Sequence, residues 1–139
     1  MLIGTYNHTI DAKGRMFVPA NLRKHLGDEF YVTISGDGCL YIYSLNMWER
    51  AMNKLMESQQ ENHFEISQLF ASASHCVPDG QGRIPLTQDL RDFAGLSKNV
   101  TIVGIGLYVQ IWDSEKYEEH RMNQRKPENI KEAIRKLGL

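Results

Sequence analysis

The chain has 139 residues, 42% of them hydrophobic and 24% charged, with a formal net charge of −1. That length suits one compact domain, or two small units of 60–70 residues that would be marginal alone and need a shared core or oligomerisation. The near-zero charge excludes binding driven by a global electrostatic field and leaves local charge to do such work.

Thr5 to Ile10 is β-branched and aromatic and reads as a strand. Asp11 to Gly14 reads as a turn: Asp bonds its own backbone, and Gly can take positive φ. Arg15 to Val18 continues as a strand. Pro19 suits the first turn of a short helix through Leu26, with Gly27 as its stop. Phe30 to Ser35, Gly36-Asp37-Gly38 and Cys39 to Tyr43 form a hairpin pattern. Ser44 or Asn46 could cap the next helix, whose apolar face is expected from Leu45, Trp48, Met52 and Leu55. Glu57 to Asn62 is polar and is the linker candidate, followed by a helical stretch over His63–Ala73.

The pattern then returns. Asp11-x-x-Gly14-Arg15 is matched by Asp79-x-x-Gly82-Arg83, at a constant offset of 68 residues. Leu22-Arg23 falls on Leu90-Arg91, and Gly27 on Gly95. Ser74 to Pro78 matches the first strand, Gln88–Ala94 the short helix, and Asn99–Trp112 the hairpin, turning at Gly104-Ile105-Gly106. The hairpins match with a one-residue slip that lays Leu40-Tyr41-Ile42 on Leu107-Tyr108-Val109. Pro19 lies four residues after Arg15 but Pro85 only two after Arg83, so the second short helix is expected to start differently, and Arg91 transfers less safely than Arg23. Glu115 to Leu139 is helical in composition and broken at Pro127. Two readings of this tail stand: a solvated helix packed on a neighbour, or an auxiliary DNA contact.

Catalytic and cofactor motifs are lacking. His8, His25, His63, His75 and His120 show no metal-ligand spacing to one another or to Cys39 and Cys76. The two cysteines form no framework and read as reduced thiols in a cytoplasmic protein. Asp79-Gly80-Gln81-Gly82 lacks the later acidic ligands of a calcium loop, with Leu90 where its Glu belongs. Gly104-Ile105-Gly106 lacks the third glycine of a dinucleotide loop. The expectation is therefore no enzyme, no metal, no cofactor, no small-molecule substrate and no membrane span.

The repeated turn remains. In one reading Asp11 and Asp79 close the turns, Gly14 and Gly82 supply the backbone, and each Arg pairs with its Asp. In the other, Arg15 and Arg83 stand on rigid strand starts and offer planar forks to phosphate or guanine, related by a pseudo-twofold suited to duplex DNA. Residues 11–25 hold Lys13, Arg15, Arg23 and Lys24 against Asp11, a local excess of +3, whereas residues 79–91 balance. The first copy is the stronger candidate for an anionic ligand.

The run Gly4-Thr5-Tyr6-Asn7-His8-Thr9-Ile10-Asp11-Ala12-Lys13-Gly14-Arg15-Met16-Phe17-Val18-Pro19, with its second copy at Asp79-x-x-Gly82-Arg83, closely resembles the MraZ family. The resemblance covers residues 2 to about 120. It implies an α+β, β-rich fold: two tandem SpoVT-AbrB swapped-hairpin units forming a pseudo-twofold, double-psi-like barrel with flanking helices. The units would span 5–47 and 76–119, with a helical connection over 48–74 and a tail over 120–139. It implies a cytoplasmic, nucleoid-associated transcriptional regulator of the bacterial division and cell-wall gene cluster. The partners implied are double-stranded DNA at short promoter repeats and further copies of the chain, in a ring of eight or more. Family DNA-binding residues map onto Arg15 and Arg83, with Lys13, Arg23 and Lys24 as helpers, and the signature Asp onto Asp11 and Asp79. The rival reading is an antitoxin-like or other protein-binding module, because the same superfold also neutralises toxins.

Overall fold

A computed structural model describes residues 1–57 and 63–139. Six strands make one sheet in the order β1-β7-β8-β4-β3-β5, and two make a separate ribbon, β2-β6. The strands are β1 (Leu2–Thr9), β2 (Arg15–Phe17), β3 (Phe30–Ile34), β4 (Leu40–Ser44), β5 (Ser74–Cys76), β6 (Arg83–Pro85), β7 (Asn99–Gly106) and β8 (Val109–Asp113). The helices are α1 (Ala20–Leu26), α2 (Leu45–Glu57), α3 (His63–Ala71), α4 (Gln88–Ala94), α5 (Ser114–Gln124) and α6 (Pro127–Lys136). The expected linker lies, beyond Glu57, outside the described residues.

The sheet order is a palindrome. β1 of the first unit pairs antiparallel with β7 of the second, Tyr6 opposite Ile102 and His8 opposite Val100. β5 of the second unit pairs with β3 of the first, Ser74 opposite Val32 and Cys76 opposite Phe30. Each unit's leading strand thus completes the other unit's hairpin, and neither unit can bury its apolar surface alone. At two places a residue pairs with its own counterpart: Met16 with Ile84 in the ribbon, and Tyr41 with Gln110 where β4 meets β8. A pseudo-twofold axis runs through both pairs.

Alternation divides the sheet into two faces. Phe30, Val32, Leu40, Ile42, Val100, Ile102, Val109 and Ile111 are fully buried and point into the core, where Met16, Val18, Leu22, Ile84, Leu86 and Leu90 meet them. On the other face α2 and α3 cover β3 and β4. There Trp48 stacks on Tyr31 at 4.6 Å and meets Phe70 at 5.0 Å, and Thr33 Oγ1 donates to the Leu69 carbonyl. α5 covers part of β7 and β8 through Trp112, which packs on Tyr117 and stacks on His120 at 4.7 Å. Asp113 caps that helix, accepting from the Lys116 amide and, at 2.7 Å, from Ser97 Oγ.

Five expectations need correction. The hydrogen-bonded ladder does not close into a barrel, since β1 and β5 are free sheet edges and the ribbon stands apart. The hairpins match the other way: Leu40-Tyr41-Ile42 lies on Val109-Gln110-Ile111, because β4 and β8 lead directly into α2 and α5. The segment between α4 and β7 is longer than its counterpart, and the Leu-Tyr likeness at Leu107-Tyr108 falls on the hairpin tip. Gly104 is a strand residue, not a turn; it faces Gly4 across the ladder, and a Cβ there would approach the Ile3 backbone nitrogen to 2.5 Å. α4 starts in register with α1 at the offset of 68, because Thr87 caps it, accepting from Leu90 N at 3.2 Å, while Pro85 stays in β6. In α2 only Trp48 is buried, and Leu45 and Met52 lie at the exposed margin.

Candidate nucleic-acid interface

The two Asp-x-x-Gly-Arg turns share one hydrogen-bond pattern. Asp11 Oδ1 accepts from the amides of Lys13 and Arg15, and its Oδ2 accepts from Arg15 Nε, each at 2.9 Å. Asp79 Oδ1 accepts from the amides of Gln81 and Arg83, and its Oδ2 from Arg83 Nε, again at 2.9 Å. The backbone closes both loops, Asp11 N donating to Arg15 O and Asp79 N to Arg83 O. Gly14 and Gly82 sit at φ +78 and +83, a region that costs an L side chain about 1–2 kcal/mol. The Arg15 amide holds the Asp11 carboxyl below the usual carboxylate range, with Arg15's side chain and the Lys13 amide adding to it against some desolvation. The Arg83 amide does the same for Asp79. The carboxylates stay ionised through the physiological range and keep the turns shut.

The turns are locked across the pseudo-twofold. Val18 N donates to Gly82 O, and Leu86 N to Gly14 O, both at 2.9 Å. Arg23, on α1 of the first unit, lies over Gly82 of the second: a Cβ there would come within 2.8 Å of the guanidinium carbon. Arg91 lies over Gly14 in the same way, with the nearest atom at 3.1 Å. Arg23 Nε donates to Val18 O at 2.9 Å, and Arg91 Nε to Leu86 O at 3.0 Å. Each basic helix residue thus braces the other unit's turn.

In the ribbon, Met16 and Ile84 point inward with no exposure. The alternate positions therefore share the outward face: Arg15 opposite Pro85, and Phe17 opposite Arg83. The side chains of Arg15 and Arg83 are 31% and 26% exposed. Both arginines turn back to their own Asp through Nε, as the first reading of these residues expects. Arg15 Nη1 and Nη2 have no hydrogen-bond partner among the described residues, while Arg83 Nη1 also reaches Asp11 at 4.0 Å. Lys13 stands exposed at the first turn, where the second has Gln81. Lys24 is exposed beside Arg23.

Sequence reading overlooked Phe17 and undervalued Arg91. Phe17 is 40% exposed and stacks on His8 at 5.9 Å, an aromatic surface opposite Arg83 on the outward face of the ribbon. Period-two alternation after the buried Met16 was the signal for it. For Arg91 the signal was the constant offset itself.

Among the described residues no three His, Cys, Asp or Glu side chains gather as a metal site, and no helix is long and apolar enough to cross a membrane. Burial pushes the Cys39 thiol up to about 11 and raises that of Cys76.

The family profile described as "MraZ protein, putative antitoxin-like" matches the chain twice, over residues 1–68 and 69–137. Among curated relatives, the "Transcriptional regulator MraZ" of Natranaerobius thermophilus is 39% identical over 138 residues, 96% of each chain. That of Carboxydothermus hydrogenoformans is 40% identical over 123 residues, 86% of each, and that of Acetivibrio thermocellus 36% identical over 143 aligned positions, the full length of both. A profile matched by both halves and relatives aligned along the whole length lead to one conclusion: the chain belongs to the MraZ family.

Proposed function

We propose that the protein is a sequence-specific DNA-binding transcriptional regulator that engages short promoter repeats of the division and cell-wall gene cluster as a homo-oligomeric ring. One observation carries this reading: two arginine-bearing turns lie on either side of a pseudo-twofold axis and hold Arg15 and Arg83 on the outward face of one rigid ribbon. An Arg fork matches guanine O6/N7 or a phosphate. Arg15 and Arg83 read the duplex. Lys13 and Lys24 contact phosphate. Arg23 braces a turn through Nε and assists at phosphate beside Lys24. Asp11, Gly14, Asp79 and Gly82 shape the turns. Palindromic strand order and the exchange of β1 and β5 between the units support the swapped-hairpin, double-psi-like reading of the core.

The charge argues for the ring. Residues 11–25 and 79–91 together hold Lys13, Arg15, Arg23, Lys24, Arg83 and Arg91 against Asp11, Asp79 and Asp89, six cations against three carboxylates, a net of +3. So few contacts hold DNA weakly at physiological salt. Several copies set against several repeats gain affinity through effective concentration. Such a regulator works in the cytoplasm, on the nucleoid.

Footprinting on the DNA upstream of the protein's own gene tests the reading. Protection at regularly spaced short repeats is expected; uniform, sequence-independent protection would contradict it. The family profile's description favours a second reading, an antitoxin-like module. A toxin gene beside this one in place of cell-wall genes would favour that reading.

A further inference from the structure

The ribbon presents four side chains outward, and they do not obey the pseudo-twofold. At the offset of 68, Arg15 matches Arg83, but Phe17 matches Pro85. With Met16 and Ile84 turned into the core, the register sets Phe17 directly across from Arg83 and Pro85 directly across from Arg15. An aromatic ring of the first unit thus stands beside the arginine of the second, whereas Arg15 has a compact proline ring beside it.

Single exposed apolar residues are ordinary on a surface. Phe17 is distinguished by how firmly it is placed. Its backbone pairs with Arg83 in the ribbon, and the next amide, Val18 N, donates to Gly82 O at 2.9 Å. Its ring is held by His8 of β1, with the planes 20° apart and the centroids 5.9 Å apart. Phe17 nevertheless stays 40% exposed. In the second unit the counterparts of His8 and Phe17 are the buried Cys76 and Pro85, so the pair is not repeated. A ring already fixed in this way loses little freedom when it meets a ligand.

Geometry and chemistry name the ligand. Side chains directly across an antiparallel pair have Cβ atoms about 4.5–5.5 Å apart, and successive base pairs are about 3.4 Å apart along the duplex. When Arg83 meets a base edge, Phe17 therefore reaches the adjoining base pair. The major groove admits a two-stranded ribbon, and the apolar group that bases present there is the thymine C5-methyl. Phe17 has no charge and no hydrogen-bonding side-chain group to offer a phosphate.

We infer that Phe17, held by His8, reads the C5-methyl of a thymine adjoining the base that Arg83 contacts. This inference rests on the DNA reading above and adds a specificity-determining residue to it.

Mobility shifts of the full-length protein on the DNA upstream of its own gene, made with thymine or with uracil throughout, test it. Uracil pairs as thymine does and lacks the methyl. The wild type should bind the uracil fragment at least about fourfold more weakly, the worth of one buried methyl. Phe17→Ala should bind thymine DNA more weakly by at least about the same factor and lose the difference between the fragments. Phe17→Leu keeps an apolar side chain and should keep part of that difference. A residue that merely packed against His8 would change affinity for both fragments alike. Replacing one thymine at a time should confine the effect to a position next to a guanine. The variants should stay folded by circular dichroism, and the wild-type comparison of the two fragments needs no variant. Equal binding of both fragments by the wild type, or an undiminished difference in folded Phe17→Ala, would overturn the thymine contact while leaving the DNA reading intact. A wild type that binds neither fragment would overturn the DNA reading itself.

Discussion

Gly82→Ala tests the bracing of the turns most sharply. Gly82 sits at φ +83, where an L residue costs about 1–2 kcal/mol, partly offset by roughly 0.5–1 kcal/mol from the stiffer unfolded chain. The new methyl would also come within 2.8 Å of the Arg23 guanidinium. That group is the far end of a flexible side chain, so it moves away and gives up its bond to Val18 O, a further loss of about 1 kcal/mol. The total is about 1–2 kcal/mol. Only the second part depends on Arg23, so Gly82→Ala in an Arg23→Ala background should cost about 1 kcal/mol less than in the wild type. Urea unfolding of the four proteins at one protomer concentration closes the cycle. Additivity within about 0.3 kcal/mol would refute the brace. Gly14→Ala with Arg91→Ala should couple more weakly, because the nearest guanidinium atom is at 3.1 Å.

Acid stability should respond to the turn carboxylates. Asp11 and Asp79 have depressed folded pKa values, so their contribution is present above the unfolded value near 4 and is lost as pH falls through the lower folded values. The Asp11→Asn, Asp79→Asn double variant should lose less stability below about pH 4 than the wild type in urea titrations; a parallel acid limb would contradict this. The thiols should be quiet. With Cys39 pushed up to about 11, a disulfide-exchange reagent at pH 8 should label it on the order of a hundredfold more slowly than in urea, from thiolate fraction alone. Ile84→Ala removes a fully buried side chain on the pseudo-twofold and should cost about 2–5 kcal/mol; a loss below about 1 kcal/mol would mean that the axis is loosely packed.

How far the sequence reaches follows from which interactions are local. The turns were legible because each is closed within five residues: Asp11 meets Arg15, and Asp79 meets Arg83. The offset of 68 likewise carried both short helices to their places. What depends on distant pairing was not legible. The true match of the hairpins is fixed by β4 meeting β8, Tyr41 beside Gln110, and no local pattern encodes that. Gly104 looked like a turn glycine because its reason for being glycine is the close approach of β1, a hundred residues away in the chain. The bracing of Gly14 by Arg91 escaped for a similar cause: the partners lie in different units.

The most direct test of the central claim is the salt dependence of promoter binding by wild-type protein, Arg15→Ala and Arg83→Ala. Both arginines are partly exposed, with their close ion pairs inside their own turns at 2.9 Å, so the variants should stay folded. The account predicts specific binding by the wild type, at least a tenfold loss in each variant, a larger loss for Arg15→Ala, and a shallower slope of affinity against salt. Unchanged affinity and slope in both folded variants would contradict it.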